Sequence, residues 1–155
     1  MPAVAEPVLI VALSGRALAQ SARAAGFAPI VLDAFADLDT RAVAQVWRQV
    51  PVDRRWRLRR APLLTAAATL APSPVPLVWG SGFEGRTDLL AEIARNRPLW
   101  GTTPAAVRAI KDPIGFAQAV GDLGFAHPET RARPPAKAPG WLVKRGAAAG
   151  GGHVR

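Results

Sequence analysis

Apolar positions follow two alternating rhythms along the chain. Val8-Leu9-Ile10-Val11-Ala12-Leu13 is one continuous apolar run, the pattern of a strand covered on both faces. Ser14-Gly15 then leads into an alanine-rich helix, Arg16 to Ala25, stopped by Gly26. Pro29-Ile30-Val31-Leu32-Asp33 predicts a second strand ending in an acid. Beyond it, Asp39 or Thr40 caps a predicted helix through Arg48, and Trp56 to Leu58 extends. Pro62 suits the first position of a helix to about Leu70, which Pro72, Pro74 and Pro76 break.

The same alternation continues. Val75 to Trp79 predicts another short strand, followed by the loop Gly80-Ser81-Gly82-Phe83-Glu84-Gly85. Thr87 to Arg95 predicts an amphipathic helix with Leu89, Leu90 and Ile93 on one face. Pro98 to Gly101 predicts a last short strand, and Thr103-Pro104 a cap with proline behind it. Strand and helix in turn imply an α/β fold, an open parallel (Rossmann-like) sheet with helices on both faces. Near residues 101–112 the pattern changes, which divides the chain into 1–105 and 106–155. The second part predicts a helix from Pro113 to Leu123 closed by Gly124, an extended His127 to Arg131, and a strand, Trp141 to Lys144. The chain then ends in a run of small residues, Arg145 to Arg155. A glycine-rich loop needs a following strand to fold against, so the end is expected to be a cut inside a domain.

Composition narrows the classes. No apolar run approaches the roughly 18 residues of a membrane span. Met1 to Glu6 carries no basic leader. The chain has no cysteine, which removes disulfides and thiolate metal sites and fits a cytoplasmic protein. The formal charge is +9, and a basic surface attracts phosphate whatever the sequence. Yet 17 of the 20 basic residues are Arg, the usage a GC-rich bacterial genome imposes. The densest run, Arg54 to Arg60 with Trp56 inside it, is expected to be a solvated or domain-facing surface, with nucleic-acid binding as the lesser reading.

The end of the chain carries the strongest chemical signal. A strand bearing Lys144, followed by Gly and Ala, lets backbone N–H groups approach phosphate oxygens while the ammonium neutralises charge. No Gly-Lys pair exists for a Walker A loop. Ser14-Gly15-Arg16-Ala17-Leu18-Ala19 holds one glycine where a dinucleotide fingerprint needs three. A flexible tail of small residues is the plain alternative.

Lys111 opening a helix, then Gly124-Phe125-Ala126-His127-Pro128-Glu129-Thr130-Arg131, then Trp141-Leu142-Val143-Lys144 and the glycine loop together resemble the ATP-grasp superfamily. The resemblance is specific over residues 108–155 and architectural over 7–107, which correspond to a pre-ATP-grasp domain. It implies that Lys111 and Lys144 contact ATP phosphates, Lys144 also lying near the adenine, and that Gly150, Gly151 and Gly152 form a lid over them. An exposed cap for Lys111 and a surface position for Lys144 are the structural alternatives. Ala147 to Ala149 lengthens the loop relative to the commonest pattern, and His153 lies at its far edge. The resemblance also implies Mg²⁺, whose carboxylate and asparagine ligands would lie beyond Arg155.

A second site follows from the fold class, since ligands of open parallel sheets sit outside the carboxyl ends of the strands. Ser14, Gly15 and Arg16 follow one strand, and Ser81, Gly82, Glu84 and Arg86 follow another. The small residues admit a ligand, the serines donate hydrogen bonds, and Arg16 or Arg86 pairs with a carboxylate or phosphate. Glu84 meets an amine or caps the next helix. Tight turns with incidental polar residues are the competing reading. By resemblance, this pocket takes the acceptor of an ATP-dependent carboxylate–amine (or carboxylate–thiol) ligase that works through an acyl phosphate, and the 155-residue chain by itself is expected to be inactive. The opening segment, Trp79 to Glu84 and Trp141 to Arg145 are also similar to ATP-grasp proteins of methylotrophic bacteria, associated with one-carbon carrier coenzymes of methanopterin and methanofuran type. A partner subunit, or the remaining ATP-grasp portion, is expected to complete the site. A non-catalytic α/β module that binds a small ligand or partner is the other class.

Overall fold

The computed structural model describes residues 5–137, 139–144 and 146. It divides into two compact units, Met1–Thr102 and Thr103–Arg155. In the first, β1 (Pro7–Val11), α1 (Arg16–Ala24), β2 (Ala28–Asp33), α2 (Leu38–Val43), β3 (Val46–Gln49), α3 (Arg60–Leu70), β4 (Leu77–Trp79) and α4 (Thr87–Ile93) follow one another. The four strands form one sheet in the order β3-β2-β1-β4, and every pairing is parallel. The open parallel α/β architecture expected from the alternation is therefore present.

β1 is the centre of the sheet, with Leu9 opposite both Ile30 and Leu77, and Ile10 opposite Val31 and Val78. Its side chains alternate between two cores. Leu9 and Val11 join Leu32, Leu63, Leu77, Phe83, Leu89 and Leu90, so α3 and α4 cover that face. Val8 and Ile10 join Ala19 and Val31 beneath α1 and α2. Being covered on both sides is why the strand is uniformly apolar, and each fully buried Leu or Ile contributes about 1.5–3 kcal/mol.

The helix expected through Arg48 stops early. Asp37, not Asp39 or Thr40, caps α2, its carboxylate accepting from the Thr40 amide. The chain then becomes β3, with Gln45 N donating to Pro29 O at 2.8 Å and Val50 N to Asp33 O at 2.7 Å. Val43, Val46, Trp47 and Val50 have helical spacing. The outer edge of β2 offers backbone partners that a helix could not use, and β-branched and aromatic residues suit the strand. α3 begins at Arg60, two residues before Pro62. The strand expected at Pro98 to Gly101 shrinks to one parallel bridge, Leu77 with Leu99.

In the second unit, α5 (Pro104–Lys111) begins at Thr103, whose hydroxyl accepts from the Ala106 amide. Asp112 caps α6 (Pro113–Asp122) through the Ile114 amide. Lys111, expected to open a helix, instead closes α5, because Asp112 is the cap from which α6 starts. Trp141 to Val143 carry no strand, and Lys144 alone has a bridge pairing.

Candidate functional site at the carboxyl edge of the sheet

The crossover after β1 leads to β2 on one side, and the chain returns after β3 to place β4 on the other. The loops after β1 and β4 therefore leave in opposite directions, the switch point beside which open α/β sheets commonly take ligands. These loops are tied together: Leu13 N donates to Ser81 O at 2.8 Å, and Gly80 N to Val11 O at 2.9 Å. Ser14-Gly15 and Ser81-Gly82 thus lie on one rim, with Ser14 and Ser81 exposed and Gly15 buried. Two glycines are required for this closeness. A Cβ at Gly15 would sit 2.7 Å from Val31 Cγ1, and Gly82, at φ +104, faces Leu13 at 3.4 Å.

Asp33 organises the rim, although sequence reasoning marked it only as an acid ending a strand. Its side chain is 1% exposed. Oδ2 accepts from Gly15 N at 2.9 Å, while Oδ1 accepts from Ala36 N at 2.7 Å and Phe35 N at 3.3 Å. One carboxylate therefore fixes the loops after β1 and β2 together. Buried, it is satisfied only because three amides point at it.

The charged candidates are largely engaged within the protein. Arg16 lies 3.3 Å from Asp39 and 4.0 Å from Asp37. The Thr40 amide is the main cause holding the Asp37 carboxyl below its usual range, with Arg16 a lesser one. Glu84 accepts from Gly82 N at 2.9 Å, so it stiffens its own loop, and α4 starts without a side-chain cap. Arg86 donates to the Leu58 carbonyl. Hydrogen-bonding groups left open toward a ligand are the two serine hydroxyls and the exposed guanidinium of Arg16 on its solvent side.

In the second unit, Lys111 is half-buried at the end of α5 and Lys144 is exposed. Neither has an acidic partner among the described residues. Gly150, Gly151, Gly152 and His153 lie outside the described residues. Phe116 packs edge-on against His127 with centroids 5.7 Å apart, and Arg131 lies over Trp141 at 5.3 Å. No group of three or more His, Cys, Asp or Glu able to hold a metal exists among the described residues. No described helix is long and apolar enough to cross a membrane.

Three solved structures share this architecture. N5-carboxyaminoimidazole synthetase from Staphylococcus aureus complexed with ADP superposes with a TM-score of 0.53 at 18% identity, covering 78% of this chain and 31% of its own. The ADP complex of purK, N5-carboxyaminoimidazole ribonucleotide synthetase, gives 0.55 at 18%, covering 77% and 29%. A further structure of the Staphylococcus aureus synthetase gives 0.55 at 20%, covering 77% and 30%. The parallel sheet and its helices match these structures in fold. The chain spans about a third of the length of these structures. No protein-family model and no curated protein matches it.

Proposed function

We propose that this chain is the N-terminal portion of an ATP-grasp ligase joining a carboxylate to an amine (or thiol) through an acyl phosphate. The observation that carries the reading is the conjunction of two features. A sheet of order β3-β2-β1-β4 has its glycine loops at the carboxyl edge, and its fold likeness extends to synthetases determined with ADP bound. The order of Lys111, the Gly124 to Arg131 turn and Lys144 agrees with it.

In this reading residues 1–105 are the pre-ATP-grasp domain and 106–155 open the nucleotide-binding domain. Lys111 and Lys144 hold ATP phosphates, and Gly150, Gly151 and Gly152 cover them. ATP, when bound, supplies the phosphoryl group that activates the acceptor carboxylate. The protein's part is to place that carboxylate in line and to neutralise charge with ammonium and backbone N–H groups. Ser14, Gly15, Ser81 and Gly82 line the acceptor pocket, and Arg16 and Glu84 shape its rim. Mg²⁺ belongs to the same proposal, with ligands outside this chain.

The exposed apolar side chains of the second unit support a larger domain around it. Leu123, Phe125, Leu142 and Val143 are each exposed by 64% or more, surface that soluble proteins normally cover. The remainder of an ATP-grasp domain, or a partner subunit, is the cover we assign; the 155-residue chain alone is then inactive, in the cytoplasm as elsewhere. The likeness to proteins of methylotrophic bacteria extends the proposal to one-carbon carrier coenzymes of methanopterin or methanofuran type.

The test uses the gene product as its native cells make it. Its mass is expected to exceed 16.3 kDa, or it purifies with a second subunit. It should release ADP only when a carboxylate and an amine or thiol acceptor are both supplied, and Lys144→Ala should lower that rate by about a hundredfold or more. A native 16.3 kDa protein that neither binds ADP nor recruits a subunit would sink the proposal. A deletion strain with unchanged coenzyme levels would remove the coenzyme assignment alone.

A further inference from the structure

The basic run Arg54 to Arg60 is not a uniform cationic surface. Asp53 takes Arg57, with Nε at 2.8 Å and Nη2 at 2.7 Å from Oδ2. Asp88 and Glu92 take Arg60. Arg54, Arg55 and, at the start of α3, Arg59 stay exposed with no acidic partner among the described residues.

Arg54 and Arg55 ride on a stiff arm at the carboxyl end of β3. Val52 pairs antiparallel with Leu58, whose side chain is 2% exposed and anchors the arm in the core. Across the tip, Asp53 N donates to Arg57 O at 2.9 Å, and the Asp53 carboxylate accepts the amides of Arg55 at 2.8 Å and Arg57 at 3.0 Å. Between the arginines and the anchor stands Trp56, 59% exposed.

Trp56 stacks on Phe35, with centroids 5.9 Å apart and planes 26° from parallel. Phe35 is itself 44% exposed and belongs to the loop that Asp33 ties to Gly15. Two residues in the left-handed region hold this pair, Trp56 itself at φ +56 and Ala36, next to Phe35, at φ +44. Side-chain-bearing residues persist there only where the surroundings over-determine them, and such positions gather at ligand sites. Here the enforcing bonds are Trp56 N to Asp53 O at 3.0 Å and Ala36 N to Asp33 Oδ1 at 2.7 Å. An aromatic pair held in strained backbone and left in water gains little from burial, which points to a use outside the fold's own packing.

We propose that Trp56, Phe35, Arg54 and Arg55 form a binding site for a planar aromatic molecule carrying a phosphate or carboxylate. The ligand's ring stacks on the exposed indole, and the guanidinium forks take its oxyanion. Trp56, Arg54 and Arg55 sit together at one hairpin tip, which fits a small anion, whereas a nucleic-acid strand needs a row of stacking and charged positions. The site stands apart from Lys111 and Lys144 in the sequence and does not depend on the ligase reading.

The test follows the indole N–H signals of the five tryptophans in a nitrogen-15-labelled chain titrated with 1-naphthyl phosphate. The signal that moves should be the one missing from Trp56→Gly, a variant whose glycine adopts the left-handed backbone freely. Affinity should fall by about tenfold or more in Trp56→Gly and in the double variant Arg54→Gln, Arg55→Gln, and inorganic phosphate or 1-naphthol alone should bind weaker by a similar factor. Arg54 and Arg55 are exposed, so the double variant stays folded and decides the matter if Trp56→Gly does not. Absence of binding, equal affinity in the double variant, or movement of a different indole overturns the proposal. So does tighter, steeply salt-dependent binding of single-stranded oligothymidylate, which would make the arm a nucleic-acid contact.

Discussion

The two units contain similar apolar residues and treat them in opposite ways. In Met1–Thr102, Leu9, Leu77 and Leu89 are each 0% exposed and Phe83 is 1% exposed. In Thr103–Arg155, α6 has no buried side chain, and Phe125 is 68% and Leu142 67% exposed. Hydrophobicity is therefore not what separates them. The first unit supplies its own second layer, since helices return to both faces of the sheet. The second has two short helices and extended chain with no sheet among its described residues, and Val107 is the one apolar side chain buried among them. A core is a property of facing surfaces, and one surface alone remains an interface.

That contrast can be broken most directly with a pair of truncations. Phe83→Ala removes a buried ring from the main core and is expected to cost about 3–5 kcal/mol, whereas Phe125→Ala should stay within about 0.5 kcal/mol. Denaturant unfolding of the isolated chain measures both; similar losses would mean that the second unit has a core after all. Asp33→Ala comes next, at about 1–3 kcal/mol, because it leaves the buried amides of Gly15 and Ala36 without their acceptor. Its loss should also loosen the rim, seen as faster amide exchange at Gly15. Thr103→Ala removes the cap of α5 and should cost about 1 kcal/mol, read as lower helix content confined to the second unit.

The smallest effect is a local pH response. Hydrogen bonding to Arg57 lowers the Asp53 carboxyl to about 2. Its folded value lies below the ordinary 3.8, so the stabilisation is complete above that value and is lost as pH falls through about 2. The Trp56 indole signal should therefore change over that window in the native chain and not in Asp53→Asn. An identical acid response in both would remove Asp53 as the clasp of the hairpin.

Much of the first unit was legible because buried parallel strands advertise themselves. Val8 to Val11 is apolar without interruption, and Gly26 and Pro72 mark where helices stop. The failure at Val46 to Gln49 has a specific cause. An edge strand is covered on one side only, so its apolar positions are sparse enough to imitate a helical face, and the deciding partner, the outer edge of β2, is distant in sequence. The same limit hid the real work of the rim. Glycines and serines of the two loops could be found from residue type and strand ends. That Glu84 serves Gly82, that Arg86 serves Leu58, and that Asp33 clasps two loops are tertiary facts without a local signature. Phe35 and Trp56 stand twenty-one residues apart (56 minus 35) and meet only because β2 and β3 are neighbours.

The place of β1 in the middle of the sheet has a consequence for how the protein is made. One edge of the strand can pair with β2 soon after synthesis, because only α1 intervenes. The other must wait until Leu77 to Trp79 has left the ribosome, with α1, β2, α2, β3 and α3 all translated in between. Throughout that interval the most apolar strand of the chain offers an open row of amides and carbonyls. The nascent polypeptide is thus most prone to wrong pairing before β4 arrives, and a chaperone that masks Val8 to Val11 would act at the step where the chain most needs it.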